Sequence, residues 1–150
     1  MLLSEKNKYN ITTTESRLLI VTSSLVCIPI FFAYQRCLYF HMITSTGTWF
    51  FSVLYWQNPV HGWRRNLDLV YAKYTFLVYL TSGIFFTPFG CPTLFIGIGA
   101  AAIAQAYIMT YIYPQIWIRF HILFHLLCIG MKTYILSQIH TYYFKFIQIC

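Results

Sequence analysis

Long apolar runs constrain this chain more than any other feature. The sequence divides into runs of mostly apolar residues, which are separated by short polar or proline-containing segments. A helix needs about 20 such residues to cross a lipid bilayer. We therefore predict an all-α, polytopic transmembrane helix bundle of about five spans. The predicted spans are 18–34, 38–56, 69–86, 94–113 and 116–136.

The composition supports a membrane setting and excludes most soluble classes. Only 9% of the 150 residues are charged, whereas 59% are hydrophobic. A soluble domain carries about 25% charged residues, because water must wet its surface. The same apolar content excludes an intrinsically disordered chain. The lipid bilayer is therefore the predicted partner of most of the surface.

The remaining segments define the domain organisation. Residues 1–16 are polar and lack the basic-then-apolar order of a signal peptide, which predicts an exposed N-terminal arm. Residues 17–137 form the predicted transmembrane domain, with a kink at Pro29. Pro, Gly, Asn and two Arg make 57–68 the clearest loop. Polar and aromatic residues alternate in 138–150, which is typical of a tail at the membrane interface.

Neither the charge nor the cysteines point to a soluble function. The formal net charge is +7. The basic residues are scattered, with no stretch denser than Arg64-Arg65, so membrane anchoring explains them and we predict no nucleic-acid partner. The five cysteines are odd in number and lack any CxxC spacing, which predicts neither a disulfide framework nor a zinc ribbon.

A few polar side chains fall at membrane depth, where each is costly and asks for a reason. His121 and His125 lie one helical turn apart in the fifth span, so both imidazoles share one face. That spacing suits joint coordination of a zinc ion. Asp68 opens the predicted third span, and Ser52 lies one turn before the end of the second. Counting spans places all four residues in one leaflet, so we predict that they converge.

Each of these residues also has a purely structural interpretation. The histidine pair could form hydrogen bonds at the membrane interface. Asp68 could be a salt-bridged helix start after Arg64-Arg65, and Ser52 could bond back to its own helix. Convergence on one leaflet is what favours a functional interpretation.

Short motifs in three spans resemble those of one membrane superfamily. Residues 52–56, the Arg-containing loop and 67–72 are similar to the second and third spans of the superfamily of alkaline ceramidases, progestin and adipoQ receptors and haemolysin III-type proteins (the CREST group). Residues 121–127 resemble the His-xxx-His motif of its last span. The resemblance implies a zinc ion held by histidines, with Ser52 and Asp68 assisting the zinc-bound water. It also implies hydrolysis of a lipid amide such as ceramide.

Two departures from the family pattern bear on this chemistry. Trp56 stands where the family has its first zinc histidine, and an indole offers no lone pair to a metal. His61, in the following loop, is the candidate third ligand beside His121 and His125. The chain also has about five spans where the family has seven. Two interpretations follow: a reduced zinc-dependent lipid amidase or receptor-like relative, and a non-catalytic structural or partner-binding membrane protein.

The distribution of positive charge predicts the orientation in the membrane. The N-terminal arm, the 57–68 loop and the 113–119 turn share one side and hold six Lys or Arg residues, whereas the other side holds three. Cytosolic loops carry the excess of positive charge. The N-terminus is therefore predicted in the cytosol and the C-terminus on the opposite side.

Protease protection of terminal tags tests this orientation. In sealed vesicles whose cytosolic side faces inward, we expect a tag at residue 1 to be shielded and a tag after Cys150 to be cleaved. The physical reason is that an odd number of spans separates the termini. Immunoblotting before and after detergent treatment reports both tags. If both tags behave alike, five spans are excluded.

Overall fold

A computed structural model describes residues 11–59 and 62–146 of the chain. Within these residues the secondary structure is α-helical, without strands. The predicted all-α helix bundle is therefore confirmed. Its helices are α1 (Thr13–Ser24), α2 (Cys27–Gln35), α3 (Tyr39–Gln57), α4 (Trp63–Phe86), α5 (Cys91–Ile112) and α6 (Trp117–Phe146).

Most of the helical segments meet the requirements for crossing a membrane. Four are long and apolar enough, and the first of these joins α1 and α2. α3 fills the second predicted span but is not among the four, because polar side chains interrupt it along its length. The chain is a multi-pass membrane protein by the length and composition of its helices. The four candidate spans are Thr13–Gln35, Trp63–Phe86, Cys91–Ile112 and Trp117–Tyr142.

The kink predicted in the first span is a break between α1 and α2 at Leu25 and Val26. Pro29 has no N–H and cannot donate to the carbonyl of Leu25 one turn earlier. It lies instead in the first turn of α2, where a backbone N–H would have no partner within the helix.

At the other end of α1, Thr12 and Glu15 form a capping box. The Glu15 carboxylate accepts from the Thr12 N–H at 2.8 Å, and the Thr12 hydroxyl accepts from the Glu15 N–H at 3.2 Å.

Two boundaries differ from the prediction. α4 begins at Trp63, inside the predicted 57–68 loop, so Asp68 lies in the second turn of the helix rather than at its start. The polar residues of this segment have ordinary helix propensities, and packing of the helix against its neighbours determines where it begins. α6 continues beyond residue 136 to Phe146, through much of the predicted tail.

Polar side chains of α3 are paired with neighbouring helices. The Ser45 hydroxyl lies 2.8 Å from the Tyr79 hydroxyl of α4. Thr48 and Thr75 are joined in the same way, with 2.8 Å between their hydroxyl oxygens. Such interhelical hydrogen bonds remove the cost of placing hydroxyls inside a membrane bundle. They explain why a helix of this polarity is stable between α1, α2 and α4, its packing neighbours.

Two apolar clusters lie at opposite ends of the bundle. α6 is common to both, because it packs against α1, α2, α4 and α5. Along α1 and α3, the buried hydroxyls of Ser23, Ser45 and Ser52 lie between residues of the two clusters. One cluster contains Ala33, Tyr79, Ile96, Ile135, Leu136 and Ile139, and the other contains Leu19, Tyr55, Trp56 and Trp117.

One cysteine departs from the expectation drawn from spacing. Cys37, in the turn between α2 and α3, is disulfide-bonded, whereas Cys27, Cys91 and Cys128 are free. The spacing of the cysteines did not predict this bond. A disulfide depends on the distance between two cysteines in the folded chain, and widely spaced cysteines give no signal of it.

Close packing of α4 against α5 and α6 can be tested at Gly83. A Cβ atom at this position would lie 3.1–3.2 Å from the side chains of Ile96 and Ile135. We expect Gly83→Leu to reduce the free energy of unfolding by about 1–3 kcal/mol, because it overpacks a filled site. Thermal unfolding in detergent micelles measures the effect.

Gly97→Leu is the matched control. A Cβ at Gly97 meets no other atom of the described chain within 4 Å. Both substitutions gain about the same helix propensity, so the difference between them isolates packing. Equal unfolding midpoints would contradict the close approach at Gly83.

Candidate functional site

A cavity of about 470 Å³ lies inside the bundle, between α1, α3, α4, α5 and α6. This volume falls within the range of about 300–1,000 Å³ that is typical of small-molecule sites. Most of its wall is apolar. The size and the wall suit an apolar or amphiphilic molecule. Apolar wall residues include Val26, Phe76, Leu80, Ile103, Phe124 and Met131.

Ser52, Asp68, His121 and His125 all line this cavity. The four side chains that span counting predicted to converge therefore line one and the same cavity. This arrangement arises because α3 ends, and α4 and α6 begin, at the same end of an antiparallel bundle. The catalytic roles of Ser52 and Asp68, and the metal-binding role of the histidines, stay predictions.

Ser52 is buried and connects three helices. Its hydroxyl oxygen lies 3.0 Å from that of Ser23 in α1. It also hydrogen-bonds the carboxyl group of Asp68 in α4. The alternative that Ser52 bonds only to its own helix is therefore wrong. The Ser52–Asp68 pair forms one polar side of the cavity.

The two histidines form the other polar side. Their ring centres are 4.7 Å apart on the face of α6. Nδ1 of His125 lies 3.1 Å from the hydroxyl of Thr22, so α1 fixes one of the rings. His125 therefore forms its hydrogen bond within the bundle, to a neighbouring helix. His121 has Trp56 as a neighbour, edge-on, with ring centres 5.2 Å apart.

The described residues do not complete a zinc site. Catalytic zinc uses three protein ligands. Within residues 11–59 and 62–146, no group of three or more His, Cys, Asp or Glu could hold a metal ion. Trp56 is beside His121 but cannot ligate. His61, the predicted third ligand, lies outside the described residues.

Lys132 is a cavity residue that the sequence analysis missed. It is only 7% exposed, and its ammonium nitrogen lies 5.3 Å from the centre of the Tyr79 ring. The sequence did contain a signal. His121, His125, Cys128 and Lys132 follow one another at spacings of four, three and four residues, which place them on one helical face. The prediction counted Lys132 only as a charge near the membrane surface.

The cavity opens between α4 and α5. α5 packs mainly against α6 and contacts α4 much less. Lys73, Leu77 and Ala104 line the cavity and are also exposed on the outside of the bundle. α4 and α5 are both candidate membrane spans, so a gap between them would face lipid in a bilayer.

Comparisons with known proteins give no relative from which a function could be transferred. No family model, curated protein or solved structure matches the chain. The site is therefore interpreted from its own residues.

The part that position 56 plays in zinc binding can be tested by placing a histidine there. We expect the wild-type protein to bind zinc substoichiometrically. Trp56→His should bring zinc to about one per chain, because it supplies a third imidazole beside His121. Elemental analysis of purified, zinc-exposed and desalted protein measures the content.

Tyr55→His is the control for the added imidazole. Adjacent helical residues point in different directions, so this variant should keep the wild-type zinc content. A full zinc equivalent in the wild-type protein would mean that the site is already complete.

Proposed function

We propose that this multi-pass membrane protein binds an amphiphilic lipid in the cavity, with the polar part of the lipid against the polar wall. The observation that carries the proposal is the convergence of Ser52, Asp68, His121 and His125 on one mostly apolar cavity. The proposal includes membership of the superfamily that the motifs resemble.

The energetic cost of the cavity supports a binding role. Ionisable groups in the bilayer interior are costly, at about 2.5–3.5 kcal/mol for a charged one on insertion scales. A bundle that only holds helices together would fill its centre at the density of an organic crystal. This chain instead keeps about 470 Å³ beside a carboxyl group and two imidazoles. A bound amphiphile would both fill the volume and pair the polar groups.

The polar wall matches a headgroup that donates and accepts hydrogen bonds. The carboxylate of Asp68 accepts, and the hydroxyls of Ser23 and Ser52 do both. An amide or hydroxyl headgroup has the complementary donors and acceptors. The lateral opening between α4 and α5 gives the acyl chain of such a lipid a path from the bilayer.

Zinc-dependent hydrolysis of a lipid amide is the second candidate function. It is favoured by the proximity of His121 and His125, whose ring centres are 4.7 Å apart, and by the Ser52–Asp68 hydrogen bond at the same cavity. It requires a third ligand, for which His61 is the candidate. The zinc content of the wild-type protein separates this candidate from a binding function.

The orientation is part of the proposal. With Lys132 in the cavity wall, six Lys or Arg residues on the N-terminal side against Arg36 and Lys145 on the other support a cytosolic N-terminus and a C-terminus on the opposite side. The disulfide at Cys37 supports the same orientation, because this turn would then lie outside the cytosol, where disulfides persist.

Filling the cavity should abolish lipid binding. Ala100 lines the cavity, and Phe in its place would occupy part of the volume. We expect Ala100→Phe to weaken binding of N-oleoylethanolamine, a neutral amide lipid, by about tenfold or more, or about 1.4 kcal/mol. Binding of the radiolabelled lipid to protein in nanodiscs measures the effect.

Ala101→Phe is the matched control. Ala101 is exposed and does not belong to the cavity wall, so the same substitution there should leave the affinity unchanged. Wild-type protein that fails to bind the amide lipid, or equal losses in both variants, would overturn the proposed function.

A further inference from the structure

Lys132 brings a positive charge to the cavity wall, and no carboxylate of the described residues pairs with it. The acidic residues in the described part of the chain are Glu15 and Asp68. Glu15 is engaged with Thr12 at the start of α1. Asp68 is hydrogen-bonded to Ser52, beside the histidine end of the cavity. Neither carboxylate neutralises the ammonium group of Lys132.

The other neighbours of Lys132 do not neutralise it either. The Tyr79 ring, 5.3 Å from the ammonium nitrogen, offers a cation–π contact but no negative charge. Cys128 and His125 precede Lys132 on the same face of α6. Their side chains are neutral and carry no negative charge that could pair with the ammonium group. A buried charge is costly unless it is paired.

The position of Lys132 gives the cavity two distinct polar ends. At 1.5 Å per residue, Lys132 lies about 16 Å along α6 from His121 and about 10 Å from His125. Asp68 lies at the end of the cavity that contains His121, where its carboxyl group is hydrogen-bonded to Ser52. An anion bound at Lys132 would therefore be separated from the one carboxylate in the cavity wall.

We propose that Lys132 anchors the carboxylate of a single-chain fatty acid in this cavity. The inference rests on the proposed function, since it takes the cavity to be a lipid site, and it names the charge of the lipid. One ammonium group matches one carboxylate, and a volume of about 470 Å³ suits one acyl chain. The chain would lie along the apolar wall toward the opening between α4 and α5.

The test uses two probes that share one acyl chain. Oleate carries a carboxylate, and N-oleoylethanolamine carries a neutral headgroup. In nanodiscs, we expect the wild-type protein to bind oleate more tightly. We expect Lys132→Met, which keeps length without charge, to weaken oleate binding by about tenfold or more, because a buried charge pair loses one partner. Its affinity for N-oleoylethanolamine should stay the same.

Two further variants separate charge at this position from charge in general. Lys132→Arg keeps the charge and should retain most of the oleate affinity. Arg119→Met removes an exposed charge of α6 outside the cavity wall and should change oleate binding by no more than about twofold, because exposed pairs contribute little. Retained binding of the neutral lipid by Lys132→Met also shows that this variant is folded.

Each outcome bears on a specific statement. Equal oleate affinity in the wild-type protein and Lys132→Met would overturn the role of Lys132 and leave the proposed function intact. Equal losses of both lipids in Lys132→Met would also overturn it, because the residue would then act on the cavity as a whole. Failure of the wild-type protein to bind either lipid would overturn both proposals.

Discussion

The cost of an unpaired polar group in an apolar medium organises this bundle. It explains why α3 packs against α1, α2 and α4, because its hydroxyl groups would be costly in contact with lipid. The bonds of Ser45 with Tyr79 and of Thr48 with Thr75 satisfy those hydroxyls from a neighbouring helix. The same constraint makes the cavity informative. There the carboxyl, imidazole and ammonium groups surround a volume that the helices do not fill.

The two apolar clusters explain how the bundle supports a cavity. They pack the helices together at both ends, with α6 in each. The layer between them is therefore free to hold polar side chains at a cost in packing. α6 contributes most to this layer, because His121, His125 and Lys132 recur on one of its faces. A single helical periodicity thus sets both the histidine end and the lysine end of the site.

Sequence and span counting predicted the architecture and the convergence of the four polar residues, because both follow from the length and order of apolar runs. The start of α4 was predicted too late, since polar residues before Asp68 look like a loop until packing is known. The disulfide at Cys37 depends on proximity that spacing does not encode. Lys132 was missed for a different reason. Its periodicity was visible, but its burial depends on which face of α6 meets the cavity.

Trp56 links the architecture to the choice between binding and catalysis. Its indole nitrogen is buried without a hydrogen-bond partner in the described part of the chain, which costs about 1–3 kcal/mol. Its ring contacts those of Tyr55, Trp117 and His121. At about 0.5–1.5 kcal/mol for each aromatic pair, these contacts offset the unpaired N–H. Position 56 therefore stabilises the apolar end of the bundle and supplies no metal ligand. A tryptophan at this position leaves the cavity and its polar wall in place, which fits the proposed lipid binding more closely than hydrolysis.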